Sequence, residues 1–287
     1  YDSANIIHSN GKFYLLVGTS TSNRDHFYIV DAKTLYYENS AVVGANLSGL
    51  TILNEQYGLV TGDGIRRIDL KSLNNVRIKN ERLLCFYNSI IYNGKVLSND
   101  TYKDESKVKY YDVNELIAAK EGEAPAVTEL DIIQKQKINF VLAKDGNVYT
   151  LESADNGCNI VKIKNDFTLE KVFANFQPAK GPYHSSPTIG MVASETENII
   201  YLVSTDGAIY KYILGDSDSL KAPFIAAESG VSITAPLQMN QQSGELYVTY
   251  TEELKDESKI VVYSKDGKVL HTVDCGESVP SQILFNN

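Results

Sequence analysis

Six times along the chain a polar turn opens a strand with an apolar or aromatic centre, and no other feature limits the fold as sharply. The copies are NGKFYLLVG from Asn10, NEQYGLVTG from Asn54, NGKVLSND from Asn93, DGNVYTLES from Asp145, TENIIYLVS from Thr196 and SGELYVTYT from Ser243. Aligned on Tyr14, Gly58, Leu97, Tyr149, Tyr201 and Tyr247, they are spaced by 44, 39, 52, 52 and 46 residues. Self-similarity at about 40–50 residues marks a propeller, with four strands in each blade.

The rest of each period completes a blade. A short apolar run precedes each turn: ANIIHS, SGLTIL, NSIIY, INFVLA, PTIGMVAS and TAPLQMN, read as the innermost strands. A second run follows, as in HFYIVDAKTL, GIRRIDLKSL, KVKYYDVNEL and NIVKIKNDFTL, alternating apolar and polar with the period of a strand that has two unlike faces. Most of these runs close on an Asp- or Asn-bearing turn, where the side chain can bond the local backbone. Shorter runs such as YYENSAV, VRIKN, AVTELDI, EKVFANF and HTVDC supply a fourth strand. Helical pattern is nearly absent; VNELIAAKEGE, Val113 to Glu123, is the best candidate for a helical turn. The expectation is an all-β chain, residues 1–287 forming a single β-propeller domain of four-stranded antiparallel blades. SVPSQILFNN at the C-terminus looks like a seventh innermost strand. The blade pattern is therefore read as seven-bladed with six full blades visible, a six-bladed ring being the alternative. The chain starts at Tyr1 without Met, which reads as a processed product whose leader has been removed.

Composition excludes some classes of function. The net charge is −9, and the basic residues read as scattered singly along strands, which disfavours a nucleic-acid binder. Nineteen Tyr and no Trp fit pleated, half-buried surfaces. Cys85, Cys158 and Cys275 form no CxxC pair, so a zinc ribbon or thioredoxin-like site is not indicated; a disulfide between two of them stays open. Asn46 and Asn99 open glycosylation sequons, triplets that arise often by chance.

The stretches NGKFYLLV…HFYIVDAKTL and GLTILNEQYGLVTGDGIRRIDLKSL resemble the YncE-like and YVTN-type propellers of the quinoprotein-dehydrogenase-like superfamily. TILNEQYGLVTGDGIRRIDL is most similar to surface lipoprotein propellers of Bacteroidetes. The resemblance implies an exported protein at the cell surface or in the periplasm, capturing a corrinoid or other small ligand for an outer-membrane transporter. It implies membrane attachment only through a lipid anchor that this chain lacks. The WD dipeptide of WD40 blades is absent. Quinoprotein enzymes of the superfamily need a Trp-rich stacking site, so the lack of Trp argues against their cofactor, and no cofactor is expected.

Catalytic signals are poor. There is no GxSxG, and no two histidines share a metal-ligand spacing. GDSDSL, with Asp216 and Asp218, starts like a calcium loop but lacks the later glycine and glutamate, so no metal is expected. His8 and His271 read as strand residues. Propeller sites gather on the face built from blade-to-blade connections and from the loops joining second and third strands. The candidates there are Arg24 and His26 in TSNRDH, Tyr102 and Lys103 in NDTYKDES, and Lys180, Tyr183 and His184 in QPAKGPYHSSP. The reading favoured is a non-enzymatic binding propeller for a small molecule or glycan. A protein-interaction scaffold and a propeller lyase or lactonase are the alternatives.

Overall fold

The computed structural model describes residues 3–18, 24–45, 47, 49–62, 64–79, 89–99, 106–123, 125–134, 139–179, 190–252, 257–278, 280, 283 and 285. Its strands form six antiparallel sheets in chain order, the blades of a β-propeller. They divide into two compact units, Tyr1–Lys135 with Asn286, and Gln136–Phe285 with Asn287.

In the first unit, blade one is β1 (Ser3–Ser9), β2 (Lys12–Gly18), β3 (Asp25–Asp31) and β4 (Tyr37–Gly44). Blade two is β5 (Gly49–Ile52), β6 (Tyr57–Gly62), β7 (Gly64–Asp69) and β8 (Asn75–Lys79). Blade three is β9 (Ile90–Tyr92), β10 (Lys95–Asn99), β11 (Ser106–Asp112) and β12 (Val127–Gln134), with α1 (Val113–Ala118) between the last two. The first hairpins of blades one and three turn on Asn10-Gly11 and Asn93-Gly94, with φ of 50° and 69°, then 46° and 71°. Two successive positive φ values make a type I′ turn, which matches the twist of the flanking strands and suits Asn-Gly.

The third strands end on the same device. Oδ1 of Asp31 accepts from Lys33 N (3.1 Å) and Thr34 N (2.7 Å). Oδ1 of Asp69 accepts from Lys71 N (3.0 Å) and Ser72 N (2.7 Å). Asp112 repeats the pattern with Asn114 N (2.8 Å) and Glu115 N (3.0 Å), and here it caps a helix instead of closing a turn. Leu116, fully buried, then anchors α1 in the apolar cluster shared by blades two and three. The helical turn expected at Val113 therefore forms, and it stops at Ala118.

In the second unit, blade four is β13 (Val141–Leu142), β14 (Val148–Ala154), β15 (Gly157–Ile163) and β16 (Leu169–Phe176). Blade five is β17 (Met191–Ala193), β18 (Ile199–Val203) and β19 (Ile209–Ile213). Its fourth position holds a 3-10 turn, Ser217–Leu220, and a single bridge from Ile209 to Ile225. Blade six is β20 (Val231–Ile233), β21 (Gln238–Met239), β22 (Leu246–Glu252), β23 (Ser258–Tyr263) and β24 (Val269–Gly276). Here β20 and β21 both pair with β22, so the inner strand is split. Pro236 lies in the gap and has no N–H for the ladder.

Burial peaks on the second strand of a blade and falls to the outermost. All five residues of β18 are buried, whereas β24 is exposed along nearly its whole length. Each unit holds two apolar clusters, and every cluster is drawn from two consecutive blades. In the first unit Tyr14, Leu16, Phe27 and Ile29 of blade one meet Leu50, Val60 and Ile68 of blade two. Burying an aromatic such as Phe27, which is 0% exposed, is worth about 3–5 kcal/mol against Ala.

Most of SVPSQILFNN, where a seventh innermost strand was expected, lies outside the described residues; the described strands make six blades, the alternative reading. Ile283 N donates to Gln238 Oε1 at 2.6 Å, and the Phe285 ring meets Tyr247 edge-on at 4.9 Å. Ile283 and Phe285 are thus engaged with blade six. The basic residues are also less scattered than their spacing suggests: Arg66, Arg67 and Arg77 share β7 and β8, with Arg66 and Arg77 paired across the ladder.

Candidate functional site

Of the seven residues expected to face a ligand, two lie within the described structure. Arg24 is exposed and precedes β3. His26 is half-buried on β3, stacked on Tyr28 with centroids 5.8 Å apart and planes 20° from parallel. Between them Asp25, 2% exposed, accepts a hydrogen bond from Leu47 N. Its carboxylate thus pins the connection from blade one to blade two, a role that sequence pattern did not signal. Tyr102, Lys103, Lys180, Tyr183 and His184 lie outside the described residues, as do Cys85 and the sequon at Asn46. Asn99, which opens the second sequon, is 4% exposed at the end of β10, and its Nδ2 donates to Gln134 Oε1 at 2.7 Å.

A different place carries the geometry of a site. A cleft of about 520 Å³ opens where blades one and two meet at their turns. Its floor is Tyr14 on β2, Ile29 on β3 and Leu70 just after β7. Tyr14 and Ile29 are cross-strand partners, and Ile29 in turn pairs with Asn39 on β4. The row Tyr14–Ile29–Asn39 therefore lies on the sheet face that packs against blade two. His26 and Tyr28 alternate onto the opposite face. The rim adds Asn10, Lys12, Glu38, Glu55 and Lys71. Lys12 Nζ and Glu38 Oε2 pair at 2.7 Å, and this bond raises the ammonium above its ordinary value. Asn39 Oδ1 accepts from Ser40 N at 2.9 Å, and the Asn39 residue lines the cleft.

Tyr14 is the unusual member. It is 4% exposed, and its hydroxyl has no hydrogen-bond partner among the described residues. The same repeat position is satisfied in blades four and six, while Tyr201 in blade five, like Tyr14, makes no hydroxyl hydrogen bond among the described residues. Tyr149 donates to Asp145 Oδ2 at 2.9 Å, four residues back, and Tyr247 to Glu245 Oε2 at 3.2 Å, two residues back. In blade one those two positions hold Asn10 and Lys12, and Lys12 is turned to Glu38. Burial raises the Tyr14 phenol above its ordinary value, so it is a neutral donor at physiological pH.

Other reactive groups serve the scaffold. Cys158 is 7% exposed, and burial with Glu152 nearby pushes its thiol up to about 11, far from a nucleophile's range. Asp216, read from sequence as the start of a calcium-like loop, caps the 3-10 turn through Asp218 N at 3.0 Å. Among the described residues no group of three or more His, Cys, Asp or Glu is arranged to hold a metal ion.

Comparison with known proteins agrees with the fold. A solved quinoprotein alcohol dehydrogenase-like protein from Bacteroides thetaiotaomicron VPI-5482 is 99% identical, with a TM-score of 0.96; the match covers all of this chain and 69% of that one. The β-propeller domain of Cps50 (Swd1) from Myceliophteria thermophila is 12% identical with a TM-score of 0.58, covering 97% of this chain and 91% of that one. A streptogramin B lyase is 14% identical with a TM-score of 0.53, covering 93% and 81%. At such identities the last two show the fold alone. No curated protein matches the chain. The model of one family, described as a domain of unknown function (DUF5074), matches residues 2–286, and the chain belongs to that family.

Proposed function

We propose that this protein is a non-enzymatic binding propeller that captures a small molecule or glycan, with the cleft of blades one and two as its seat. The observation that carries the reading is Tyr14 at the floor of that cleft: its ring is buried, while its hydroxyl has no protein partner and stays open to the cleft. Concave, mainly apolar sites with a few placed polar groups, about 300–1,000 Å³ in size, are where small ligands bind. The resemblance to YncE-like lipoprotein propellers of Bacteroidetes adds the setting: export to the cell surface or periplasm, and delivery to an outer-membrane transporter. The absence of Trp from the sequence supports capture over quinone-dependent chemistry. Arg24, His26, Tyr102, Lys103, Lys180, Tyr183 and His184 remain proposed contacts for a larger ligand such as a corrinoid, which would overfill the cleft.

The test is a thermal-shift screen of the purified chain against corrinoids, haem, siderophores, oligosaccharides and calcium. A molecule that binds only the folded state raises the melting temperature by mass action. A shift with one class, reduced by Tyr14→Phe, supports the cleft. A corrinoid shift untouched by Tyr14→Phe moves the site to the other face. No shift with any class overturns capture in favour of a protein-interaction scaffold.

A further inference from the structure

The groups around the cleft narrow its ligand. Lys12 and Lys71 are matched by Glu38 and Glu55, so the lining carries no net formal charge. A site for phosphate or a sulfated ligand would show an excess of Lys or Arg, and a site for a cation an excess of carboxylate. Neither excess is present. Lys12 and Glu38 are moreover committed to each other at 2.7 Å. A zwitterion seated on that pair would have to break it.

What remains available is a set of donors and acceptors set close together over an apolar floor. The Tyr14 phenol is a neutral donor and acceptor. Asn39 brings a side-chain amide, whose nitrogen carries two donors and whose oxygen, bonded to Ser40 N, keeps a second acceptor site. Asn10 brings a second amide from the hairpin turn. The floor of Ile29, Leu70 and the Tyr14 ring offers flat apolar area. The complement of such a surface is a molecule with hydroxyls around its edge and a C–H face beneath. We infer that the cleft takes a neutral saccharide unit, with a sugar hydroxyl bonded to Tyr14 and the C–H face of the ring laid on Ile29 and Leu70. This rests on the capture reading and specifies its ligand class.

The experiment is isothermal titration of the intact chain, and of Tyr14→Phe and Asn39→Ala, with four kinds of probe. These are neutral saccharides (maltose, cellobiose and N-acetylglucosamine), an anionic sugar, inorganic phosphate and free amino acids. Each titration is run at low and high salt, since exposed charges are screened over about 3 Å at 1 M. The expected result is binding of a neutral saccharide with an affinity that salt leaves within about twofold. Tyr14→Phe should weaken it by about 2- to 10-fold, the worth of one hydrogen bond between neutral groups. Asn39→Ala, at an exposed position, should weaken it without moving the melting temperature, and it carries the test if Tyr14→Phe folds poorly. Salt-sensitive binding of phosphate, the anionic sugar or an amino acid that Tyr14→Phe disturbs overturns the saccharide assignment and leaves capture standing. Saccharide binding that neither variant changes removes the ligand from this cleft. Failure of every probe to bind overturns the saccharide assignment and leaves capture to the thermal-shift screen.

Discussion

Arg67 on β7 donates through Nη1 to the backbone oxygens of Ile117 and Ala119, the latter at 3.1 Å, and so ties the C-terminal end of α1 to blade two. The last carbonyls of a helix have no partner within it, and a guanidinium is well suited to take two of them at once. The same cation sits 5.1 Å above the Tyr57 ring. Arg67→Ala strips these contacts from carbonyls about fifty residues away along the chain. Thermal and urea melts should show a loss of about 1–3 kcal/mol. Limited proteolysis should cut first near α1. Arg67→Lys should recover part of the loss, because an ammonium keeps a charged donor for the carbonyls but loses the planar guanidinium over the Tyr57 ring. A melt unchanged in Arg67→Ala would show that α1 is held by Leu116 alone.

Asp145, in the turn that opens β14, gives the fold a dependence on acid. Burial alone would push its carboxyl up. The hydrogen bonds from Lys162, from Asn147 and from the Tyr149 hydroxyl outweigh that, and hold it below the usual 3.8. A depressed carboxyl stabilises the fold at pH values above its ordinary pKa. That contribution is lost as pH falls below about 3.8 towards the lower folded value. Melting temperature should therefore fall more steeply below pH 4 in the wild type than in Asp145→Asn, which lacks the titrating group. Above pH 5 the variant should be the less stable of the two. Parallel curves for the two proteins across pH 3–7 would contradict the assignment.

Cys158 and Cys275 should behave oppositely towards a thiol reagent. Cys158 faces the core of the second unit, and burial pushes its pKa up to about 11. At pH 8 little of it is thiolate, and the reagent cannot reach it. Cys275 is half-buried near the end of β24. Mass spectrometry of the native protein after labelling should find Cys275 modified and Cys158 free, with Cys158 reacting only in denaturant. Native labelling of Cys158 would mean that blade four opens readily.

The blade repeat could be read from the sequence because each strand obeys local rules. Asn10-Gly11 specifies its own turn, and Asp31 and Asp69 close theirs with side-chain bonds two and three residues on. Such signals survive in a one-dimensional text. Blade five was less clear, because its fourth position is filled by a capped 3-10 turn and a single bridge rather than by an alternating run. The cleft was not legible. It depends on Tyr14 lacking the carboxylate that Tyr149 and Tyr247 find, and on Lys12 choosing Glu38. In the alignment of repeats Tyr14 looks like its counterparts. The one trace was the pair Asn10 and Lys12, at positions where later blades carry Asp145 and Glu245.

Tyr250 and Tyr263 offer a test of how buried polar pairs are stabilised in this fold. Their hydroxyls meet at 3.0 Å between β22 and β23, at 3% and 6% exposure. Burial, first of all, and then the shared hydrogen bond push the Tyr250 phenol well above its ordinary value. Removing one oxygen leaves the other buried without its partner, at about 1–3 kcal/mol; removing both leaves nothing unsatisfied and can be nearly neutral. Tyr250→Phe and Tyr263→Phe should therefore each lower stability in urea melts. The double variant should be clearly more stable than the sum of the two losses predicts, a coupling within about 0.5–3 kcal/mol. Strict additivity would show that the two hydroxyls are satisfied independently, and that the contact between them contributes little to holding β22 against β23.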